Sequence, residues 1–217
     1  MTFDPRPDPR PYDAAWPEAV WPPPRGTVLE GQAVRLTPTN DDDLAELWAA
    51  LDDEAVWRHL PSGRPADVDA MHEHFAVLVD RGFHPWTLRL VAPLAGFEAD
   101  AVVGWSCYLD VSVADARCEI GGTSYAVPVW GTNVNPDAKL LLLTYAFEVL
   151  QMGRVQLKTD IRNQRSQRAI AGIGATYEGV LRRFNRRADG TVRDSVLFSV
   201  TAEDWPQVRA RLRSRLR

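Results

Sequence analysis

The sequence contains no apolar run that approaches the ~20 residues needed to cross a bilayer. No apolar signal core occurs in its first residues, MTFDPRPDPRPYDAAWPEAVWPPPRG, so no export signal is expected. Cysteine is scarce: Cys107 and Cys118 are the only two, and in a reducing compartment they are expected to remain reduced core residues. These absences favour a cytoplasmic protein without a membrane partner.

A strong charge bias and a metal-ligand spacing are also missing. The net charge of −4 gives no argument for binding DNA or RNA. The four histidines are His59, His72, His74 and His84. His72 and His74 are two positions apart and face different directions on a helix, whereas a zinc site favours a spacing such as H-x-x-x-H with further ligands. We expect no metal.

The residues that are present favour an ordinary globular protein, 45% apolar and 25% charged, with a sizeable core. From about residue 27 onward the periodicity predicts one domain with the element order β-α-α-β-β-β-α-β-α-β-β-α. Asp189-Gly190 predicts a two-residue hairpin turn. A helix joins the strands predicted at 116–127 and 154–161, which makes these strands parallel if they are neighbours. The fold class is α+β, with an antiparallel front half.

Residues 1–26 differ from the rest because they are dominated by proline, arginine and aspartate. Alternating prolines favour an extended polyproline segment, here over Pro5, Pro7, Pro9 and Pro11. Trp16 and Trp21 argue against a purely disordered tail. We therefore expect an arm that lies either on the domain or on a partner subunit of a homodimer.

A polar turn followed by a run of leucines stands out at WGTNVNPDAKLLLLTYAFE, residues 130–148. Asn135 and Pro136 predict a helix start, with Asn135 as the cap, and Asp137 complements the positive helix end. The predicted helix, 136–150, is apolar nearly all round, which is typical of a buried helix. Its free N–H groups would then point at one place and form an anion site. The alternative is that any well-capped helix after a strand has this pattern.

Three segments carry a family resemblance, in the family's order. CEIGGTSYAVPVWGTNVNPDAK is similar to E-I-G-Y-x-L followed by W-G-K-G-Y-A-T-E-A. DIRNQRSQRAIAGIGATYEGVLRR is similar to N-x-x-S-x-x-x-x-x-x-x-G-F-x-x-E-G, and DGTVRDSVLFSVTAEDWP to G-x-x-x-D-x-x-x-Y-S-x-x-x-x-E-W. Over about residues 27–206 the chain thus resembles the GNAT superfamily of acyl-CoA-dependent N-acetyltransferases, closest to the branch of ribosomal-protein alanine N-acetyltransferases.

The resemblance implies a fold and a cofactor site. It implies a mixed, mostly antiparallel sheet of about seven strands with helices on both faces, in which the parallel strands 119–127 and 154–160 splay apart to admit the pantetheine arm of acetyl-CoA. Asn163 would hydrogen-bond the pantetheine, and Ser166 would also protonate the leaving thiolate. The backbone N–H groups that would cradle the CoA pyrophosphate belong to Gly131, Thr132, Asn133, Val134 and Asn135.

The chain departs from the family pattern at four positions. Asn133 and Asn135 replace small residues of the pyrophosphate turn, and their side chains either crowd the phosphates or hydrogen-bond them. Ile170 stands where many members have a tyrosine general acid. Asn185 stands where some relatives have a carboxylate. The proton acceptor must therefore lie elsewhere.

Glu119 is the candidate general base, because it opens the strand beside the cofactor gap. Pairing with an arginine, or simple solvation, is the alternative for this residue. Glu178 is the second candidate, although its place beside Gly179 suggests a structural hydrogen bond. Ser166 has a second interpretation as a helix cap, with Asn163 as the other candidate cap.

The acceptor side is expected between the first helices and the strands, with Trp48, Trp57, His59 and Trp105 as substrate-binding candidates. Phe75 and Trp86 belong to the same group, although aromatic residues at helical spacing are more often core. Four arginines lie beside the hairpin: Arg182, Arg183, Arg186 and Arg187. They are expected to form a solvated strand face, and the alternatives are that they bind an acidic acceptor or the CoA 3′-phosphate.

The function that follows is transfer of an acetyl group from acetyl-CoA to a primary amine. A protein or peptide α-amino group is the expected acceptor, with a small amine or an antibiotic as an alternative. Two other classes remain open. One is a GNAT-shaped binding or regulatory protein that has lost CoA, and the other is an interaction protein that acts through its arm.

Overall fold

In the computed structural model, residues 4–8 and 15–216 are described, and an eight-stranded mixed sheet runs through them in the order β1-β2-β3-β4-β5-β6-β8-β7. The strands are β1 (Leu29–Glu30), β2 (Val34–Pro38), β3 (His84–Leu90), β4 (Val102–Ser112), β5 (Arg117–Tyr125), β6 (Arg154–Asp160), β7 (Thr176–Arg186) and β8 (Val192–Thr201). The helices are α1 (Leu44–Ala50), α2 (Glu54–Trp57), α3 (Val68–Asp80), α4 (Val134–Thr144), α5 (Gln164–Gly172) and α6 (Trp205–Arg215).

Helices cover both faces of the sheet, as the sequence predicts. Strand β4 contributes Tyr108 to a core shared with α4, α5 and α6, and the next residues on either side, Cys107 and Leu109, to a core shared with α1, α2 and α3. Because successive side chains of a strand point to opposite faces, the first eight residues of β4 are buried on both sides. We call the face under α1–α3 the acceptor face.

Strands β5 and β6 are parallel and separate after a short pairing. Their register contains three pairs, from Arg117↔Arg154 to Glu119↔Gln156. Beyond these pairs β5 continues to Tyr125 and β6 to Asp160. The splayed parallel pair expected from the sequence is therefore confirmed. We call the gap between residues 120–125 and 157–160 the β5–β6 slot.

The predicted elements occur in the predicted order, but the structure adds the strand β1 and the one-turn helix α2 and shifts the bounds of α4. The two-residue strand β1 was missed, because a strand this short has no readable alternation. Helix α4 begins at Val134 rather than Pro136 and ends at Thr144, after which a π-helical turn covers Tyr145–Val149. Asp189-Gly190 lies in the hairpin that joins β7 to β8, as predicted, but the loop is longer than two residues: the Arg187 N–H donates to the Thr191 carbonyl, and the Gly190 N–H donates to the Arg187 carbonyl.

Part of the N-terminal arm, at Val20 and Trp21, lies on the domain. The Val20 N–H donates to the Leu150 carbonyl at 2.9 Å. The Trp21 ring contacts His84 and Tyr108 edge to face, with centroids 5.4 and 6.0 Å away. The predicted polyproline segment falls partly on residues 9–14, outside the described residues.

Both cysteines are free and buried, as predicted. Burial raises the pKa of the Cys118 thiol to about 12, so this thiol stays protonated and unreactive at neutral pH. Within the part of the chain that the structure describes, no helix combines the length and the apolarity that a bilayer span requires.

Candidate functional site

The turn before α4 leaves backbone donors free. Gly131 has φ +79°, a conformation that favours glycine, and no atom lies within 4 Å of the place where a Cβ would stand. The Thr132 hydroxyl donates to the Val129 carbonyl at 2.7 Å and accepts from the Val134 N–H at 3.3 Å. Across residues 4–8 and 15–216, no acceptor faces the N–H groups of Gly131 and Asn133. These donors at a helix N-terminus fit an anion.

The predicted cap of this helix is wrong. Asn133, not Asn135, is the N-cap, and its side chain makes no capping hydrogen bond. Pro136 occupies the third helical position, which it tolerates because the first helical N–H groups have no intrahelical partner. Asp137 lies in the first turn of α4, as predicted, and it has a second role that the sequence did not indicate. Its buried carboxylate accepts from the N–H groups of Ala33 and Val34.

The asparagine side chains that replace the family's small residues point away from these donors. The Asn135 Oδ1 accepts from the Tyr125 hydroxyl at 3.1 Å, at the end of β5. Asn133 is exposed. Neither side chain fills the space beside Gly131, so the turn remains open to a phosphate.

Two glycines remove side chains from β5 at the beginning of the β5–β6 slot. A Cβ on Gly121 would stand 2.9 Å from the Glu119 Oε1 and 3.0 Å from Leu109. A Cβ on Gly122 would stand 2.9 Å from the Trp105 ring. Any larger residue at these positions would displace its neighbours. The two glycines thus let Glu119, Leu109 and Trp105 pack directly against the backbone of β5.

Glu119 is buried on the acceptor face, with 4% of its surface exposed. Its Oε2 lies 2.8 Å from the Lys158 Nζ and accepts from the Gln156 Nε2 at 3.0 Å. Burial raises the pKa of this carboxyl group, and Lys158 and Gln156 partly oppose that shift. The partner is therefore a lysine, rather than the arginine or solvent considered from the sequence. Among the described residues, the Glu119 Oε1 has no hydrogen-bond partner.

The start of α5 lies on the other side of the β5–β6 slot. Asn163 is the N-cap, because its Oδ1 accepts from the Ser166 N–H at 3.0 Å. The Ser166 hydroxyl is half-buried and has no protein partner in the described part of the chain. Arg165 stacks on Trp130, with the guanidinium carbon 3.1 Å from the ring centroid. The segments that follow β5 and β6 thus meet across the slot.

The aromatic candidates for the acceptor side divide into core and rim. Trp57 and Trp105 are buried with Phe75 in the core under α1–α3, and the Trp57 Nε1 donates to the Leu51 carbonyl. Trp48 is half-buried and donates to the Pro65 carbonyl at 3.3 Å. Trp86 lies in the opposite core.

His59 lies at the rim, near the carboxyl end of β6. Burial lowers the pKa of its imidazole; the Asp160 carboxylate opposes this, whereas Arg58, Arg165 and Arg187 add to it. Of the aromatic candidates, His59 is the one that lies among charged groups near the end of β6. Because its pKa is lowered, its ring is uncharged at neutral pH.

An ion pair at the end of β6 was missed by the sequence. Asp160 is buried, and its two oxygens accept from the Arg187 Nε and Nη2 at 2.6 and 2.8 Å. Burial opposes ionisation of Asp160, but the Arg187 hydrogen bonds bring its pKa below the ordinary value. The prediction of a solvated strand face holds for Arg182, Arg183 and Arg186 and is wrong for Arg187, because the hairpin turns this residue back over β6.

The second candidate base has both oxygens occupied. The Glu178 Oε1 and Oε2 accept from the Arg154 guanidinium, and the Ser199 hydroxyl also donates to Oε1. These bonds, with that of Arg154 the largest, lower the pKa of Glu178. Glu178 is thus held as a structural carboxylate, in line with its position beside Gly179.

A buried lysine lies under β4 and β5, where the sequence predicted only apolar contacts. Lys139 of α4 is 5% exposed, and its Nζ donates to the Thr123 Oγ1 at 2.8 Å and the Ser106 Oγ at 3.3 Å. Burial lowers the pKa of this amine from 10.5 to about 7. The only sequence signal was a single charged residue inside an apolar helix.

Replacing Lys139 by methionine is expected to raise the Tm at pH 6 by about 3–9 °C. The folded amine loses its proton near pH 7 and the unfolded one near 10.5, so the cost of the buried charge is complete below pH 7 and disappears as the pH rises through that window. Removal of such a charge typically raises the free energy of unfolding by ~1–3 kcal/mol. Each kcal/mol raises the Tm by ~2–4 °C for a chain of this size.

Thermal unfolding of Lys139→Met and wild type at pH 6 and pH 9 measures this effect. The Ser106 and Thr123 hydroxyls remain bonded to each other at 2.7 Å in the variant. Lys158→Met, which removes the ion-pair partner of Glu119, is the control and is expected to lower the Tm. An equal Tm difference for Lys139→Met at both pH values would contradict the proposed cost of charge.

Known proteins share this arrangement. The family described as "Acetyltransferase (GNAT) domain" matches residues 33–176. A solved structure from T. thermophilus, assigned as an acetyltransferase, is 37% identical and has a TM-score of 0.79, with 91% of this chain and 100% of that one covered. RimJ from Mycobacterium smegmatis, solved in complex with CoA-disulfide, is 22% identical with a TM-score of 0.70, covering 92% of this chain and 97% of RimJ.

A curated relative matches over a shorter length. The uncharacterized N-acetyltransferase p20 of Bacillus licheniformis is 26% identical over 111 residues, which are 50% of this chain and 60% of that protein. The match therefore spans less than two thirds of p20. The GNAT domain match covers more than half of the chain and coincides with the splayed strands and the turn described above. The chain belongs to the GNAT family of acetyltransferases.

Proposed function

We propose that the protein transfers an acetyl group from acetyl-CoA to a primary amine, and that this amine is the α-amino group of a protein or peptide. The observation that carries the proposal is the β5–β6 slot, which opens beside the free N–H groups of Gly131 and Asn133. The CoA-disulfide complex of RimJ, which shares the fold, supports CoA as the ligand. The resemblance of the sequence to ribosomal-protein alanine N-acetyltransferases supports a protein acceptor.

The residues present fit CoA. The turn from Gly131 to Asn135 offers backbone donors and an open space for the pyrophosphate. Asn163 keeps its amide N–H₂ free while its oxygen caps α5, and this group would donate to the pantetheine. Bound acetyl-CoA supplies the activated thioester. A backbone N–H of β5 near the glycines would polarise the thioester oxygen.

Two side chains of this chain move the protons. Glu119 would take a proton from the acceptor ammonium through its free Oε1, while Lys158 and Gln156 hold its Oε2. The raised pKa of Glu119 makes it a stronger base than an exposed glutamate. The Ser166 hydroxyl would donate to the sulfur of the leaving thiolate. The positioning of amine and thioester contributes the remainder of the acceleration.

Thermal unfolding with CoA tests this proposal. A ligand at 100 times its Kd stabilises the folded state by ~2.7 kcal/mol, so CoA at saturation is expected to raise the Tm by about 5–11 °C for a chain of this size. Pantetheine lacks the pyrophosphate and is expected to give a much smaller shift. No shift with CoA at millimolar concentration would favour the alternative of a binding protein that has lost the cofactor.

Thiol release with acceptor panels tests the acceptor. Peptides with a free N-terminus are expected to release CoA thiol faster than the same peptides with a blocked N-terminus. Small amines and amine-containing antibiotics form the competing panel. If a compound of this panel reacts faster than the peptides, the acceptor is a small molecule and not a protein. The proposal of acetyl transfer would still stand.

A further inference from the structure

Arg193 of β8 is a buried cation without an ionic partner. Its surface is 9% exposed, and its Nε is buried without a hydrogen bond. Its recorded contact is a long one, 3.5 Å from Nη1 to the His59 carbonyl. Among residues 4–8 and 15–216, no carboxylate oxygen lies within 4.0 Å of its guanidinium. A buried charge is costly unless it is paired, so this one favours a partner that the chain does not supply.

A second unpartnered donor lies on the same strand face. Ser195 follows Arg193 by two positions, so both side chains point to the acceptor face. Ser195 is 1% exposed, and its hydroxyl has no hydrogen-bond partner in the described part of the chain. It pairs in register with Asp160 at the end of β6, beside the β5–β6 slot. Two buried donors thus lack an acceptor at one place.

The carboxylates near Arg193 are bound to other residues. Asp160 and Glu119 both oppose the burial that lowers the pKa of Arg193, so these carboxylates lie near it, whereas Arg187 adds to the lowering. However, Asp160 is hydrogen-bonded by Arg187 and by the Arg162 N–H, and the Glu119 Oε2 by Lys158 and Gln156. Neither carboxylate forms an ion pair with Arg193 in the described part of the chain.

We propose that Arg193 and Ser195 form a subsite for a carboxylate of the acceptor, so that the acceptor is an amine with an acidic group close to it. The inference rests on the proposed function and names the substrate class of the same site. In this arrangement Glu119 contacts the acceptor amine and Arg193 contacts the acceptor carboxylate. The site thus recognises both charged groups of the acceptor. The carboxylate belongs either to an acidic first side chain of a peptide or to the α-carboxyl group of a free amino acid.

Matched acceptors measure the preference in the full chain. Peptides that begin with Asp or Glu and end in an amide are compared with those that begin with Asn or Gln, and free amino acids are compared with their amides. The wild type is expected to favour one carboxylate form by about 10–100-fold in kcat/KM, the range for a hydrogen bond to a charged group. The peptide pair and the amino acid pair distinguish the two sources. Equal rates within both pairs would overturn the proposal.

Variants assign the preference to the subsite. Arg193→Gln is expected to lower kcat/KM for the acidic acceptor about 10–100-fold, mainly through KM, and to leave the neutral isostere within about threefold. Arg193→Lys should recover part of the loss. Arg182→Gln, on the exposed face of β7, is the control and is expected to change neither rate. An equal loss with both acceptors would show a structural role and overturn the proposal.

Two further measurements separate this result from folding and from the proposed function. If Arg193→Gln does not fold, Ser195→Ala replaces it, with an expected loss of about threefold to tenfold for the acidic acceptor alone. The CoA-induced Tm shift is recorded for every variant and is expected to match the wild type. A wild type that binds CoA and acetylates neutral and acidic amines equally would refute the subsite only, whereas no CoA binding would refute the proposed function.

Discussion

Replacement of Glu119 by glutamine is expected to lower kcat/KM by about 10²–10⁴, the usual contribution of a general base. Glutamine keeps the shape of the side chain and an oxygen for the Gln156 amide, but it cannot take a proton from the acceptor ammonium. The change is expected in kcat more than in the KM for acetyl-CoA, because Glu119 lies on the acceptor face and away from the turn at Gly131. Steady-state kinetics with thiol-release detection measures it.

The pH profile identifies the group. Burial raises the pKa of Glu119, so its carboxylate form is lost below a pH that is higher than for an ordinary glutamate. The wild-type kcat/KM is therefore expected to rise with pH through this raised pKa. Glu119→Gln is expected to lack that acidic limb, because nothing remains there to be deprotonated. A limb that persists unchanged in the variant would assign the base elsewhere.

Glu178→Gln is the matched control, because Glu178 is the other candidate on a strand and is also held by a basic residue. Its carboxylate is bound to Arg154 and Ser199. Its replacement is expected to lower the Tm and to leave kcat/KM within about threefold, as is typical of a structural ion pair. A larger kinetic loss in Glu178→Gln than in Glu119→Gln would exchange the roles of the two residues.

The fold could be predicted because local sequence patterns indicate most of its strands and helices. Strand β6 alternates between buried and half-buried residues, and α4 is apolar enough to require burial on the sheet. The order of elements then leaves one helical crossover, which makes β5 and β6 parallel neighbours. The turn at Gly131 was predicted as an anion site from residue types alone, and its backbone conformation agrees.

The site could be predicted only where residues act near their own position in the sequence. Glu119 and Lys158 are separated by 38 intervening residues and Asp137 and Ala33 by 103, and no local pattern indicates such pairs. Sequence spacing thus gave the candidate base without its partner. It placed Arg187 in solvent because Arg187 directly follows Arg186, one of the exposed arginines of β7.

Buried cations were missed for a related reason. Lys139 lies inside an apolar helix. Strand β8 has buried residues on both faces, so its sequence pattern does not show that Arg193 is covered. Burial of a charge depends on which elements cover the strand or helix, and that information is in the tertiary structure. The burial of these two residues is therefore known from the structure and not from the sequence.

Replacement of Asp137 by alanine is expected to destabilise the protein by about 2–6 kcal/mol, which lowers the Tm by about 4–24 °C. The carboxylate is 1% exposed and accepts from the N–H groups of Ala33 and Val34 at 2.6 and 3.1 Å. Both N–H groups would lose this acceptor, and each donor left unsatisfied costs ~1–3 kcal/mol. Asp69→Ala, an exposed acid in the first turn of α3, is the matched control and is expected to change the Tm little.

A double-mutant cycle with Gly31 tests whether this contact is the cause. A Cβ on Gly31 would stand 2.3 Å from the Asp137 Oδ2, so Gly31→Ala alone is expected to destabilise by forcing the carboxylate away from its two donors. In the Asp137→Ala background that collision is absent, and Gly31→Ala should cost much less than in the wild type. Additive losses in the two single variants and the double variant, measured by chemical denaturation, would contradict this contact as the link between α4 and the turn that joins β1 to β2.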